Sequence, residues 1–173
     1  MYIRGAIIRN VKRPNRAHPH DSGMDFFVPE FDELFINDFN NKEQNIKHGV
    51  QIKPDNQAIR LHPGQGMLMP SGVKVEIPIG WEGVFQDKSG VASKNGLIIG
   101  AKIIDTYYAG EVHINMWNVS NIDVVIKPGD KIVQLTLHPV GNAGWITVDE
   151  NELYKDMREE EHRGDGGFGS TNK

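Results

Sequence analysis

The chain has 173 residues, of which 38% are hydrophobic and 24% are charged, and its formal net charge is −4. That length is typical of one domain, and the hydrophobic residues together with 19 glycines exclude a wholly disordered chain. The negative charge argues against nucleic acid as a partner, the absence of cysteine excludes disulfide scaffolds and thiolate zinc sites, and no apolar run is long enough to span a membrane.

Short apolar runs separated by glycine and proline dominate the chain, and they predict an all-β fold of roughly ten strands. Residues 73–77 alternate between apolar and polar side chains, as expected of a half-buried strand. Further strands are predicted at residues 83–86, 103–104, 112–117, 124–126 and 132–137. Their spacing is typical of sandwiches and barrels.

Three segments depart from this strand pattern. One short helix is predicted at residues 89–96, where Ser89 would cap the start and Gly96 the end. Residues 31–56 are polar, rich in asparagine and without strand or helix periodicity. We interpret them as an inserted surface loop that a short turn could replace at little cost in loop entropy. Residues 150–161 are polar and are interpreted as a surface segment or linker.

The glycine-rich end of the chain, residues 163–173, has the composition of a flexible arm and also carries groups suited to a nucleotide. Arg163 offers a forked set of cationic donors, and the backbone of glycines such as Gly169 can approach phosphate closely. Phe168 has no core to join but could lie on a flat ring. The hydroxyl donors of the arm are Ser170 and Thr171. The alternative interpretation is an ordinary disordered terminus.

Other segments could carry chemistry, although each also has an ordinary structural explanation. Residues 88–90 (Lys-Ser-Gly) place a cation, a hydroxyl and an open backbone at a helix start, which suits phosphate or is simply a capped helix. Asp105 follows an apolar strand, where it could be a general base or a turn former. Asp25 lies in a segment that could be a turn entering a strand. Gln134 would be polar inside a buried run and would need a partner.

Taken together and in this order, these segments resemble the five sequence motifs of the trimeric dUTPases (deoxyuridine 5′-triphosphate nucleotidohydrolases). The matching residues are 22–26, 88–92, 104–111, 129–135 and 163–171. The last motif, Arg-Gly-x-Gly-Gly-Phe-Gly-Ser-Thr, matches nearly letter for letter. The chain departs from the usual residues of the family at Met24, Lys88, Ala109 and Asn172.

The resemblance implies a jelly-roll-like β-sandwich or barrel, the β-clip of this family, over residues 1–161. It implies an arm over residues 162–173 that closes over an active site. It also implies a homotrimer with shared active sites that hydrolyses dUTP to dUMP and pyrophosphate.

The resemblance also assigns roles to matching positions. Asp105 would be the general base that activates a water for in-line attack on the α-phosphorus. Mg²⁺ would be the cofactor, and Asp25 would contact it indirectly through water. The groups expected on the phosphates are Lys88, Ser89, Gly90 and Gln134, with Arg163, Ser170 and Thr171 at the γ end. The groups expected around the nucleoside are Gly100, Ile103, Ile104 and Tyr108, with Phe168 of the arm, and the Gly169 backbone is also expected to bind the substrate.

Three alternatives remain open at this point. A dCTP deaminase of the same superfamily would share the fold, but its catalytic glutamate would replace Asp105. A non-catalytic regulatory protein on the same scaffold could dock a partner through residues 31–56. A structural jelly-roll protein would have no use for the arm. We expect the protein in the cytoplasm, or in a host's cytoplasm if the chain comes from a phage, with no nucleic-acid or membrane partner.

Overall fold

Short antiparallel strands form most of the fold in the computed structural model, which describes residues 2–53, 55 and 57–155. The chain divides into one unit of residues 1–141 and a second of residues 142–173. Within the described part of the first unit the strands are β1 (Arg4–Ile7), β2 (Met24–Phe27), β3 (Ile59–Leu61), β4 (Gly66–Pro70), β5 (Val73–Glu76), β6 (Trp81–Asp87), β7 (Leu97–Ile99), β8 (Ile103–Ile104), β9 (His113–Asn118), β10 (Val124–Ile126) and β11 (Lys131–Pro139).

The strands form two larger sheets and two ribbons. One sheet has the order β2-β11-β6-β8 and the other has the order β4-β9-β7, while β1 pairs with β5 and β3 pairs with β10. Side chains from both larger sheets join one apolar core, in which Phe26 and Phe85 meet edge to face with ring centroids 5.1 Å apart. The strands predicted at residues 73–77, 112–117 and 132–137 are confirmed, with small shifts at their ends.

The short helix predicted at residues 89–96 is also present, as α3 (Ser89–Asn95). Gly96 ends it in the left-handed region at φ 63°, which glycine adopts without a steric penalty. The predicted cap at its start is wrong. Lys88 holds the N-cap position and no side chain there bonds the first turn, so the Ser89 hydroxyl is not used as a cap.

Residues 31–56 are not the patternless loop that their composition indicated. They contain α1 (Glu33–Asn40) and α2 (Glu43–His48), so the described chain has three short helices rather than the single one predicted. Asp32 caps α1 by accepting a hydrogen bond from Phe35 N at 2.8 Å. Phe35 and Phe39 are spaced i, i+4 on one face of α1, and both are fully buried.

The polar residue Asn45 attaches α2 to the body of the fold. Its side chain is completely buried, and Nδ2 donates to the carbonyl oxygens of Phe39 at 2.7 Å and Leu68 at 3.1 Å. In return, Asn45 Oδ1 accepts from Leu68 N at 2.7 Å. A polar side chain thus satisfies backbone groups of both α1 and β4, which is why a polar sequence can pack here.

In the second unit, the described residues 142–155 contain one 3-10 turn, Glu150–Glu152. Trp145 and Ile146 are exposed. The predicted domain boundary after residue 161 lies outside the described residues, as does the arm. Over the ranges that the structure describes, no helix has the length and apolarity needed to cross a membrane.

Candidate active site

A polar group forms where β2, β11 and β6 lie side by side. Gln134 of β11 is in register with Asp25 on one side and with Gln86 on the other. Lys88 directly follows β6, and its Nζ donates to Asp25 Oδ1. Gln134 Nε2 donates to the Asp87 carbonyl at 3.0 Å, which supplies a partner for this half-buried polar side chain. The structure therefore brings Asp25, Lys88 and Gln134 of three different motifs together.

Asp25 is the buried anion of this group, with 4% of its surface exposed. Burial acts to raise the pKa of Asp25, but hydrogen bonds and charge from Lys88 and Lys131 outweigh it, so the pKa lies below its usual value. Lys131 Nζ lies 3.2 Å from Asp25 Oδ2. Lys131 was not predicted from the sequence as a site residue, although it lies inside the fourth motif and could have been found there by its charge.

Acid is expected to remove the stabilisation that Asp25 provides. Because the folded pKa lies below the value of about 3.9 for an unfolded aspartate, this contribution is fully present above that value and is lost as the pH falls through the folded pKa. The difference in melting temperature between the wild type and Asp25→Asn is therefore expected to be large near neutral pH and to shrink below about pH 4. A difference that stays constant over this range would contradict an ion-paired Asp25.

Ser89 and Gly90 begin α3 and are exposed. A Cβ built on Gly90 would have no atom within 4 Å, so the backbone there is open to a ligand. Together with Lys88 these residues form a cationic, hydrogen-bonding rim beside Asp25, of the kind that binds phosphate.

A second group surrounds a pocket of about 270 Å³ that includes Asp105 and Tyr108. The apolar wall contains Phe85, Ile103 and Ile104. Asp105 is exposed to solvent. The pocket therefore places a carboxylate beside apolar and aromatic surface, which suits a nucleoside.

Internal hydrogen bonds hold the turn that follows Asp105. Tyr108 N donates to the Asp105 carbonyl at 3.2 Å, and Tyr108 OH donates to the Glu111 carbonyl at 2.9 Å. Tyr107 between them has a φ of 69°, a left-handed conformation that costs energy for a residue other than glycine. The conformation of this turn is consequently fixed by its contacts rather than by local preference.

The carboxylate of Glu111 connects the turn after Asp105 to the N-terminal part of the chain. It accepts two hydrogen bonds from Arg9, each 2.7 Å long, and one from Gly72 N at 2.7 Å. Arg9 also pairs with Asp38 of α1. Asp38, Glu111 and His113 form the one cluster of potential metal ligands in the described part of the chain, but both of its carboxylates are already paired with the Arg9 guanidinium.

Gly100 lies at the start of the predicted uracil-binding segment. A Cβ there would overlap Asn115 Oδ1, so glycine is needed for the close approach of the two residues. Asn115 and His113 line the pocket but were not selected from the sequence. The alternation of residues 113–118, which puts both on one face of β9, is the signal that could have found them.

The two groups lie at opposite ends of β6. Thr106 Oγ1 donates to the Trp81 carbonyl at 2.8 Å, which fixes Asp105 beside the first residues of this strand, whereas Lys88 follows its last residue. Seven strand residues span roughly 20 Å. One chain therefore does not bring the predicted base and the predicted phosphate-binding cation into one site.

The remaining predicted site residues belong to the arm and lie outside the described residues. They are Arg163, Phe168, Gly169, Ser170 and Thr171. Their roles stay predictions.

Comparison with known proteins identifies relatives. A family model described as dUTPase matches residues 54–172. The deoxyuridine 5′-triphosphate nucleotidohydrolase of Wolbachia pipientis wMel is 38% identical over 120 residues, which cover 68% of this chain and 75% of that protein. The protein of the same name from Saccharomyces cerevisiae is 40% identical over 108 residues, which cover 62% and 69%.

Solved structures with the same fold include two phage dUTPase variants. One, from Staphylococcus bacteriophage 80alpha with dUpNHpp, gives a TM-score of 0.72 at 23% identity and covers 98% of both chains. The other, from phage phi11 of S. aureus and described as revealing the coordination of a structural Mg(II) ion, gives 0.66 at 23% identity and covers 88% and 99%. This likeness confirms the predicted all-β, jelly-roll-like fold.

Proposed function

The chain belongs to the dUTPase family and is a dUTP nucleotidohydrolase, and on that premise we propose how its residues convert dUTP to dUMP and pyrophosphate. The observation that carries the proposal is the pocket in which Asp105 and Tyr108 lie beside an apolar wall. These two residues have the sequence spacing of the third motif. A pocket of about 270 Å³ accepts a nucleoside and leaves the triphosphate outside.

Asp105 is the proposed general base. Its exposed carboxylate accepts a proton from a water as the water oxygen bonds to the α-phosphorus. The bond from that phosphorus to the bridging oxygen breaks in line, and pyrophosphate leaves with the electron pair. Most of the rate gain comes from positioning and from neutralising phosphate charge.

The base and sugar are recognised by the hairpin that carries Asp105. Backbone groups of residues 100–104 face uracil in this proposal, so recognition of the base does not depend on a particular side chain. Tyr108, held by its bond to the Glu111 carbonyl, packs against the deoxyribose and excludes a 2′-hydroxyl. Phe168 of the arm covers the base, and the Gly169 backbone offers its N–H to phosphate.

The phosphates are held by the polar group at the other end of β6. Lys88, Ser89 and Gly90 donate to the α- and β-phosphates, and Gln134 completes this set. Lys88 can exchange its partner Asp25 for phosphate, since the side chain is partly exposed and Lys131 remains on the carboxylate. Arg163, Ser170 and Thr171 of the arm bind the γ end.

Mg²⁺ is the proposed cofactor, and the residues present fit an indirect site. Asp25 uses one oxygen for Lys88 and the other for Lys131, and a carboxylate has about four acceptor sites, so it can still accept from a metal-bound water. Direct coordination would instead place the ion against two ammonium groups. When bound to the triphosphate, Mg²⁺ supplies neutralising charge and holds its own waters.

A homotrimer is proposed from the resemblance to the trimeric dUTPases, and the sharing of active sites between its subunits is proposed because of the distance between the two groups. Asp105 and Lys88 must both serve the same α-phosphate, yet they lie at opposite ends of β6. Asp105 of one chain and Lys88 of a second chain can meet the same substrate only across an interface. Light scattering of the active protein tests this, and a monomeric mass would contradict it.

The activity is tested by pyrophosphate release from dUTP, UTP, dTTP and dCTP, with and without Mg²⁺. The proposal expects release from dUTP alone and a large loss when Mg²⁺ is chelated. Ammonia release from dCTP would instead indicate the deaminase. A protein that hydrolyses none of the four but binds a partner through residues 31–56 would indicate the regulatory alternative.

Substitutions of Lys88 test both the phosphate contact and the sharing of sites. Lys88→Ala is expected to lose most activity, whereas Lys88→Arg retains it because arginine preserves the charge and adds a fork. Mixing inactive Lys88→Ala with inactive Asp105→Asn chains would restore about a quarter of the sites if each site uses the two residues from different subunits. No recovery after unfolding and refolding the mixture would contradict shared sites, and an Ala variant with unchanged kcat/KM would contradict the contact.

A further inference from the structure

A row of polar and aromatic side chains on β9 faces α2. His113, Asn115 and Trp117 alternate with buried apolar residues, so they share one half-buried face of the strand. The rings of His48 and Trp117 meet edge to face, with centroids 4.9 Å apart. Gln44, one turn before His48, accepts a hydrogen bond at Oε1 from Asn115 Nδ2 at 2.6 Å. The helix therefore touches this row with a specific polar contact.

Asn115 also bonds the predicted uracil-binding segment, so it connects this segment to α2. Its Oδ1 accepts from Trp117 Nε1 at 2.9 Å and from Ala101 N at 3.3 Å. Its backbone carbonyl accepts from Gly100 N at 2.9 Å. Ala101 lines the pocket beside Asp105. The backbone at residues 100–101 is thus held by two different oxygens of one asparagine.

Gln44 helps to fix the orientation of the Asn115 amide. An asparagine amide can rotate and exchange its oxygen and nitrogen ends at little intrinsic cost. With the Gln44 oxygen in place, the NH₂ end must face α2, and the oxygen end must face Ala101 and Trp117. Without that acceptor, the Asn115 NH₂ loses this partner and only the two N–H donors hold the amide, so the position of its oxygen is less firmly fixed.

A parallel contact runs from α1 to the sugar side of the pocket. Asp38 of α1 pairs with Arg9, and Arg9 holds the Glu111 carboxylate. The Glu111 carbonyl accepts from Tyr108 OH and lies 2.9 Å from His113 Nδ1. Both walls of the pocket are therefore connected to the two helices of residues 33–48.

We propose that α1 and α2 keep the nucleoside pocket in its binding shape, with Gln44 and Asn115 as positioning residues for recognition of the base. This inference rests on the proposed function, because that function assigns uracil to residues 100–104. Neither residue touches the reacting atoms. Their loss acts on binding and base selection rather than on the chemical step.

The test compares Gln44→Met, which keeps the length of the side chain without the acceptor, with Gln44→Glu, which keeps an acceptor oxygen. Gln44→Met is expected to raise the KM for dUTP by about 10-fold, the effect of one hydrogen bond, and to leave kcat within about two-fold. Preference for dUTP over dCTP falls in parallel. Gln44→Glu keeps an acceptor and is expected to raise KM less than Gln44→Met does, because the Gln44 NH₂ group has no hydrogen-bond partner to lose among the residues that the structure describes.

Ile46→Ala is the matched control, since Ile46 lies on the same helix with 58% of its surface exposed, and it is expected to leave KM unchanged. Calorimetry of dUpNHpp binding repeats the comparison without turnover. If Gln44→Met does not fold, Gln44→Ala takes its place. Unchanged KM and base preference in an active Gln44→Met enzyme would overturn the inference. A wild-type protein that releases no pyrophosphate from dUTP would overturn the proposed function instead.

Discussion

Asp105→Asn is expected to lower kcat by about 10²–10⁴-fold while changing KM little. The amide keeps the size of the side chain but cannot take a proton from water. The carboxylate is exposed at the mouth of the pocket and its turn is held by hydrogen bonds, so the substitution leaves the surroundings in place. Steady-state pyrophosphate release gives kcat and KM, and calorimetry with dUpNHpp checks that binding persists.

Asp123→Asn serves as the control, because Asp123 is a carboxylate outside every motif that pairs with Arg60 and His62. It is expected to retain wild-type turnover. Near-normal kcat in Asp105→Asn would show that another group activates the water.

Replacing residues 33–48 with a glycine-serine linker is expected to unfold the protein or cause it to aggregate, contrary to the tolerance that the sequence indicated. Phe35 and Phe39 are fully buried, and the ring of Phe35 stacks between those of Phe31 and Phe39 at centroid distances of 5.2 and 6.0 Å. Truncating either Phe35 or Phe39 to alanine is expected to cost about 3–5 kcal/mol of the free energy of unfolding. Urea denaturation, monitored by fluorescence, measures this loss in the free energy of unfolding.

Leu34→Ala is the comparison within the same helix, because 77% of Leu34 is exposed, and its effect is expected to stay below about 0.5 kcal/mol. Equal stability of the Phe35, Phe39 and Leu34 variants would mean that α1 does not pack on the core in solution.

The strands could be predicted because their signal is local. Residues 73–77 alternate in the sequence, and β5 alternates between buried and exposed side chains in the structure. The helix at residues 89–95 was likewise marked by the glycine that ends it. The candidate site followed from the order of five motifs, each short enough to be recognised along the chain.

The parts that were missed depend on contacts between distant residues. From the sequence alone, the polar residue Asn45 is expected on the surface. It is buried because Phe39 and Leu68 offer it backbone partners. Lys88 and Asp25 lie 63 positions apart, so their ion pair has no local signature. The contact between Gln44 and Asn115 is equally invisible, since it requires knowing that α2 lies on β9.

Because the two groups lie at opposite ends of β6, the activity of the proposed trimer is expected to depend on protein concentration. Chains diluted until the assembly dissociates would each keep a folded nucleoside pocket and a folded phosphate-binding end, yet none would hold a complete site. Specific activity is therefore expected to fall with dilution although the fold persists. In the proposed site, dUTP contacts two chains at once. Saturating substrate is therefore expected to stabilise the assembled trimer, so that the loss of activity occurs at lower protein concentrations.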